Sequence, residues 1–499
     1  MTTKEAEKTT GVVATNGQKQ PVAAGTQRPS PPVERLERVM AWGEASDSVS
    51  YVYRPSTTGD LRAVFGQARE KGMTVGFRGG GNSYGDAALN NENMLVDFRR
   101  MNRILAWNPE SGVIRVEPGV TLGQLWRYVL EDGWWPPVVT GTMEITLGGG
   151  AAMNVHGKNA WKMGPIGDHI VGFELMLPSG ETITCSREQN EDIFHAAIGG
   201  FGMLGAFTAI TLQMKRVYSG LLNVEAAATP DLEAMFDYFE RHLQESDYLV
   251  GWIDAFPGTG ALGRGQVHRA NYLAPGEDPN PYETLKLENQ EIPATIMGVF
   301  PKLWMPFFMR PFYNNLGWRL ICWAKYMSSR LTEGIEGVGY QQPHAHFHFL
   351  LDAIPFKEAY GPDGIIQYQA FIPAGRARES MTTLLQMGRT HGVPNYLSVL
   401  KRHRPDPFLM THGLDGYSLA MDFHLSGGNR ERVRQLAREM DEVVLDAGGR
   451  FYFAKDSTLR PEIVTAYLGE ETVANFRLLK QRCDPEGVIE TNLWRRLFP

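Results

Sequence analysis

Cysteine is nearly absent from this sequence. Cys185, Cys322 and Cys483 are the only three in 499 residues. The odd number and the lack of a CxxC spacing argue against a disulfide framework or a thiolate zinc site, and they point to a reducing compartment. Long apolar runs are missing too: none approaches the roughly 18 charge-free residues that span a bilayer. The first residues show no basic-then-apolar leader pattern. Nor is positive charge in excess. Lys plus Arg number 49 against 56 Asp plus Glu, a net −7, so the basic surface that condenses on phosphate backbones is lacking and nucleic acid is not an expected partner.

What is abundant is glycine, at 54 residues, against a usual share of roughly 7%. It is concentrated where chemistry could use it. A helix over Leu61–Lys71 and a strand over Met73–Phe77 lead into Arg78-Gly79-Gly80-Gly81-Asn82-Ser83-Tyr84-Gly85-Asp86. Strands over Met94–Phe98 and Gly112–Glu117, and an amphipathic helix from about Leu122, precede a second cluster at Thr146-Leu147-Gly148-Gly149-Gly150. A third runs from Gly199 to Gly205. Glycine lets backbone approach a ligand closely, and successive exposed N–H groups cradle phosphate oxygens. Three such segments imply a large phosphate-bearing ligand. None of them is read as fitting the Rossmann GxGxxG spacing or the Walker Gly-Lys-Ser/Thr ending, so ordinary nucleotide folds are disfavoured.

Hydrophobic residues at 43% and charged residues at 21% are those of a globular protein, and the length calls for two domains. Residues 1–33, rich in Thr, Ala, Gln, Gly and Pro, read as a disordered tail. Beyond Val217 the texture changes to β-rich stretches over Tyr248–Phe256, His346–Leu351, Ile365–Ile372 and Ser418–Leu425. Between Ile296 and Met327 an aromatic, Met-rich segment carries Lys302, Arg310, Arg319 and Lys325. That mixture suits a membrane interface, and a lid on the substrate domain is the alternative. His156 and Lys158 lie two apart, where an extended backbone would point both the same way. His344, His346 and His348 alternate as on one strand face. With no cysteine or carboxylate pair to complete a metal set, they read as pocket lining rather than a metal site. The three thiols are assigned no chemistry.

The order of these segments, together with Gln367-Tyr368-Gln369, Tyr360-Gly361-Pro362, Gly448-Gly449-Arg450, Ala454-Lys455-Asp456-Ser457 and the closing Cys483-Asp484-Pro485 … Asn492, resembles the FAD-binding (PCMH-type) proteins of the vanillyl-alcohol oxidase superfamily. Within it the likeness is to oxidases of polyprenyl-phosphate pentoses. The resemblance implies an α+β, two-domain flavoprotein: an FAD-binding domain over 34–217, completed by 448–499, and a substrate domain on an antiparallel sheet over 218–447. Cofactor contacts would fall to Arg78, Gly79, Gly80, Gly81, Asn82, Ser83, Tyr84, Gly141, Thr142, Thr146, Gly148, Gly149, Ala152, Asn154, His156, Gly157, Gly205 and Tyr452. Lys455, His156 and Lys158 would be catalytic, with Lys455 a cation that holds the substrate hydroxyl and offsets charge on reduced flavin. Gln367, Gln369, Lys401, Ser418 and His348 would bind substrate.

Asn82 stands where many relatives carry the histidine that links covalently to flavin, so the FAD is expected to be noncovalent. Ser418 replaces a pocket asparagine, and His348 falls near a pocket tyrosine. The implied reaction is oxidation of a sugar secondary hydroxyl, the C2′ hydroxyl of a polyprenyl-phosphate pentose. An NAD(P)H-dependent short-chain reductase would complete epimerisation. The implied location is cytoplasmic, with peripheral contact at the inner membrane face. A flavin-dependent C=C reductase like the Δ24-sterol reductases and a non-catalytic lipid-phosphate-binding flavoprotein are the alternatives.

Overall fold

The computed structural model describes residues 31–296, 300–334, 337–353 and 363–499. Most of the tail and the motif Tyr360-Gly361-Pro362 therefore lie outside the described residues.

Local signals account for the first layer. Thr57 and Asp60 form a reciprocal cap at the start of the helix Thr58–Lys71, and Gly72 closes it at φ 64°, as expected for a left-handed C-cap. Its apolar stripe, Leu61, Val64, Phe65 and Ala68, is buried. The strand that follows, Val75–Arg78, pairs in parallel with Met94–Asp97, which also pairs in parallel with Asp47–Tyr53. Leu36–Met40 completes this four-stranded sheet. A second, antiparallel sheet orders Ile104–Asn108, Val113–Val116, Ala206–Gln213, Ile170–Met176 and Thr182–Ser186. The helix Leu122–Val129, capped by Thr121 and Gln124, buries Leu122, Leu125, Trp126 and Val129.

Contrary to the expectation on spacing, Gly200–Gly205 does match GxGxxG. It runs from the helix Glu191–Ala197 into the strand Ala206–Gln213, the reverse of the strand-to-helix order a dinucleotide loop requires. Setting the Rossmann reading aside stands, on topology rather than spacing.

From Leu221 onward the chain builds one eight-stranded sheet. Its order is Val338–Pro343, Leu221–Thr229, Gly265–Tyr272, Tyr248–Ile253, Leu397–His403, Gly416–His424, Ile365–Pro373 and Arg450–Phe451. Every pairing in it is antiparallel. The helices Leu232–His242, Ala374–Thr390 and Arg430–Asp446 each bury an apolar face. After Phe451 the chain returns to the first sheet: Val75 bridges Ile489 in parallel, and Arg496 reaches Asp86 and Asp456, both at 2.7 Å.

One predicted strand is corrected. His346–Leu351 is not extended: His344–His348 is a helix turn and Leu350–Ala353 another. Five residues that alternate in type cannot distinguish period 2 from period 3.6, and Pro343 stands at the N-cap, where its missing N–H costs nothing. The helix scatters the three imidazoles. His344 Nε2 meets the Ser219 carbonyl at 3.0 Å and His346 Nε2 the Glu291 carbonyl at 2.9 Å, while His348 packs on Trp135 and Tyr248.

Candidate active site

Two glycine segments meet edge to edge. A Cβ on Gly79 would stand 2.0 Å from Thr146 Oγ1, and one on Gly80 2.1 Å from the Glu144 carbonyl. Neither position admits a side chain. Gly81 has φ 72°, a conformation that glycine adopts without steric cost. Asn82 Nδ2 donates to the Glu144 carbonyl at 3.1 Å. Thr146 Oγ1 accepts from Gly149 N at 3.3 Å, opening the short helix Leu147–Ala152. The far side of the loop is tied down as well. Trp42 N donates to the Ser83 carbonyl and Tyr84 N to the Ala454 carbonyl, both at 2.9 Å.

These loops and the eight-stranded sheet enclose a cavity of about 720 Å³. Arg78, Gly79, Gly80, Gly81, Asn82, Ser83 and Tyr84 border it. So do Gly141, Thr142, Thr146, Gly148, Gly149 and Ala152, and from the third cluster Gly205. Tyr452, His156, Lys158, His348, Gln367, Gln369, Lys401 and Lys455 also face it. Three expected residues do not. Asn154, at φ 46°, turns its Oδ1 to Gly167 N at 3.0 Å and shapes the loop from behind. Gly157 packs on Asn159 and the Val139 carbonyl. Ser418 is fully buried one layer back, where its Oγ meets His403 Nε2 at 2.8 Å and the Gln369 amide at 3.3 Å.

Residues 154–159 form no strand and turn at Asn154 and at Lys158–Asn159, and both His156 and Lys158 face the cavity. The Gln369 side-chain amide lies 3.2 Å from His156 Nε2 and hydrogen-bonds with it. The imidazole is held neutral, far below its usual range, first by burial and then by Lys401, His403 and His412. Lys158 extends elsewhere. Its ammonium lies 4.3 Å from the Phe347 ring centroid and donates to the Phe347 carbonyl. Burial, with Lys401 nearby, pulls it down to about 7. Lys401 is pulled down to about 8 by burial. Burial also lowers Lys455, with Asp422 opposing and Lys401 assisting.

The cavity suits an extended phosphate-bearing dinucleotide. Glycine bares the backbone along one wall, and the buried Arg78 Nη1 has no partner among the described residues, a donor of the kind a diphosphate satisfies. Residues 49–186 match the family described as FAD binding domain. The chain is an FAD-binding oxidoreductase. Its fold is the α+β PCMH-type arrangement that the sequence resemblance implied. It is 28% identical to decaprenylphosphoryl-beta-D-ribose oxidase of Mycolicibacterium smegmatis over 469 residues, covering 92% of this chain and 97% of that one. L-gulonolactone oxidase of Mus musculus is 29% identical over 197 residues, 40% of this chain and 44% of that one. L-galactono-1,4-lactone dehydrogenase of Brassica oleracea is 29% identical over 187 residues, 37% and 31% respectively.

Two carboxylates that support the wall of this oxidoreductase's cavity, and one lysine that lines it, have no motif in the sequence. Asp352 clamps the second loop: Thr142 Oγ1 donates to its Oδ1 at 2.9 Å and Met143 N to its Oδ2 at 2.7 Å. Asp422 accepts from the Gln367 amide, its register partner. Lys325, one of the cations of the segment expected to be a membrane interface or a lid, lines the cavity. The signal was present in the period of its helix, Asn315–Thr332, whose inner stripe of Trp318, Cys322, Tyr326 and Ser329 runs beside Lys325 at helical spacing.

Proposed function

We propose that the protein oxidises a secondary hydroxyl of a sugar to the ketone, and that the sugar is a polyprenyl-phosphate pentose oxidised at C2′. Bound FAD would supply the hydride acceptor. Arg78, Gly79, Gly80, Gly81, Asn82, Ser83, Thr142, Thr146, Gly148 and Gly149 would hold it. The observation that carries the reading is the convergence of Lys455, Lys401, Lys158, Gln367 and Gln369 on one cavity with the glycine loops. Full-length similarity to an oxidase of a polyprenyl-phosphate sugar supports the same substrate class.

The chain's own residues have distinct parts in this proposal. Gln367 is oriented by Asp422, and Gln369 is set between His156 and Ser418. Both amides present hydrogen-bonding atoms to sugar hydroxyls. In its neutral form, which burial favours, Lys455 takes the hydroxyl proton as the hydride departs. The ammonium so formed offsets negative charge where screening by water is weak. Lys401 and Lys158 attract the phosphate. A separate NAD(P)H-dependent reductase would return the ketone to the epimeric alcohol.

Peripheral membrane contact is part of the proposal. Among the described residues no helix is long and apolar enough to cross a membrane. One face of the helix Asn315–Thr332 closes the cavity. The opposite face leaves Leu316, Leu320 and Trp323 exposed beside Arg319 and Arg330, with Phe307 just before it at 75% exposure. The lid and interface readings thus fall on two faces of one helix.

Anaerobic bleaching of the flavin is the test. The polyprenyl-phosphate pentose should reduce it, and L-gulono-1,4-lactone should not. Bleaching by the lactone alone would replace this reading with a lactone oxidase.

A further inference from the structure

Four lysines face the cavity of a protein whose net charge is −7. Lys455, Lys401 and Lys158 lie where the resemblance placed them. The fourth, Lys325, comes from the covering helix, and nothing in the reaction proposed above uses it. Its ammonium sits 4.0 Å from the Trp252 ring centroid and makes no hydrogen bond or ion pair among the described residues. Protein surrounds the side chain, but the cavity keeps it accessible to solvent. Glu333, the C-cap residue of that helix and the carboxylate that influences the lysine, is engaged by the Gln266 amide at 2.6 Å. His268 also faces this end of the cavity. Burial first, then Lys158 and Lys325, pulls that imidazole down to about 3, so it stands neutral, with one N–H to donate. An accessible ammonium with no counter-ion on the protein is open to pair with the anion of a ligand.

The sheet register sets the distance from the reacting end. Trp252 pairs with Val399, Val399 with Ala420, and Ala420 with Gln369. Three strand spacings of about 4.8 Å separate Trp252 from Gln369, roughly 14 Å at the backbone. With hydrogen bonds of about 3 Å at each end, that interval accommodates a pentose and its phosphate.

We propose that Lys325 and His268, beneath the helix Asn315–Thr332, complete with Lys158 and Lys401 a phosphate-binding subsite that holds the anionic head of the substrate while its sugar lies at Gln369 and Lys455. The proposal rests on the sugar-phosphate reading above. It makes the covering helix a specificity element: closure brings the charge that completes the phosphate site.

The experiment is calorimetric titration of the FAD-loaded protein with octyl phosphate and, separately, with uncharged octyl ribofuranoside. Octyl phosphate should bind the native protein more tightly than the neutral probe. Lys325→Met should weaken octyl phosphate at least tenfold and leave the neutral probe unchanged. Lys325→Arg should restore binding, and His268→Gln, whose amide keeps a donor, should cost less than Lys325→Met. Unchanged octyl phosphate binding in Lys325→Met overturns the subsite. So does a native protein that binds both probes alike, and so does a loss that Lys325→Arg fails to restore. Because no turnover is read, a protein that binds octyl phosphate through Lys325 yet is not bleached by any pentose keeps the subsite and loses only the reaction assignment.

Discussion

The ammonium of Lys455 lies 3.6 Å from the centroid of the Tyr84 ring. Tyr84 closes the first glycine loop, and its amide is bonded to Ala454, the residue before the lysine. The contact joins the first glycine loop to the proposed proton acceptor, so the two are positioned by one piece of structure.

That arrangement predicts separable effects at Lys455. Lys455→Ala should retain FAD and its visible spectrum while flavin reduction by substrate slows on the order of 100-fold, as for loss of a group acting chiefly in the transition state. Lys455→Arg should be nearly as slow, because a guanidinium keeps the charge but does not release its proton. Stopped-flow reduction of both variants checks this. A fast arginine variant would show that charge alone matters, and two fast variants would remove the lysine from the chemistry.

Asn82 spends its amide on the Glu144 carbonyl and has no nucleophile to offer. The cofactor is therefore expected to be noncovalent. Acid precipitation should leave yellow supernatant and a colourless pellet, and a yellow pellet would contradict the assignment.

Gly80→Val should yield colourless protein. A side chain at this position obstructs close approach of a diphosphate. The structure adds a stronger reason, since the new Cβ would first strike the Glu144 carbonyl at 2.1 Å and push the two loops apart. Asp352→Ala should loosen the second loop from its other side, at a cost of about 1–3 kcal/mol for the unpartnered Met143 amide. FAD content by absorbance and the melting temperature measure both effects. Full FAD content in Gly80→Val would dismiss the loop contact as a determinant of retention.

The pH profile should divide by role. Burial lowers Lys401 to about 8 from an ordinary value near 10.4. Its positive charge is complete below that pH and lost as pH rises through it. The KM for a phosphate-bearing substrate should therefore climb above about pH 8, by up to about tenfold per unit for one proton, while that for an uncharged alcohol stays level. The rate of flavin reduction should instead increase with pH on the acid side, as Lys455 gives up its proton. A KM that stays flat to pH 10 would mean Lys401 does not hold the phosphate.

The outward face of the helix Asn315–Thr332 and its approach, with Leu316 at 78% and Phe307 at 75% exposure, should dock on anionic lipid through apolar groups flanked by arginines. Liposome flotation should recover the protein with phosphatidylglycerol vesicles and lose it when Phe307 and Leu316 are both changed to serine. Equal recovery with anionic, neutral and no vesicles would leave the helix as a lid alone.

Much of this protein was determined locally and could be read from the chain. Capping residues, apolar stripes and glycine clusters act over a few neighbours, so the helix Thr58–Lys71, the strands flanking the loops and the loops themselves were legible, as were Lys455 and Gln369 once their motifs were recognised. The His344–His348 turn was not, because five alternating residues carry no decisive period. Which side chains share the cavity depended on tertiary structure. Asn154, Gly157 and Ser418 sit behind its wall, while Lys325, Trp252 and His268 enter it. Sheet register and the rotation of a covering helix decide that, and both are set by packing between segments far apart in sequence. The charge shows the same division. Composition determined a net −7, but only folding could gather four lysines around one cavity, where burial lowers their proton affinity and poor screening strengthens the field of those that stay protonated.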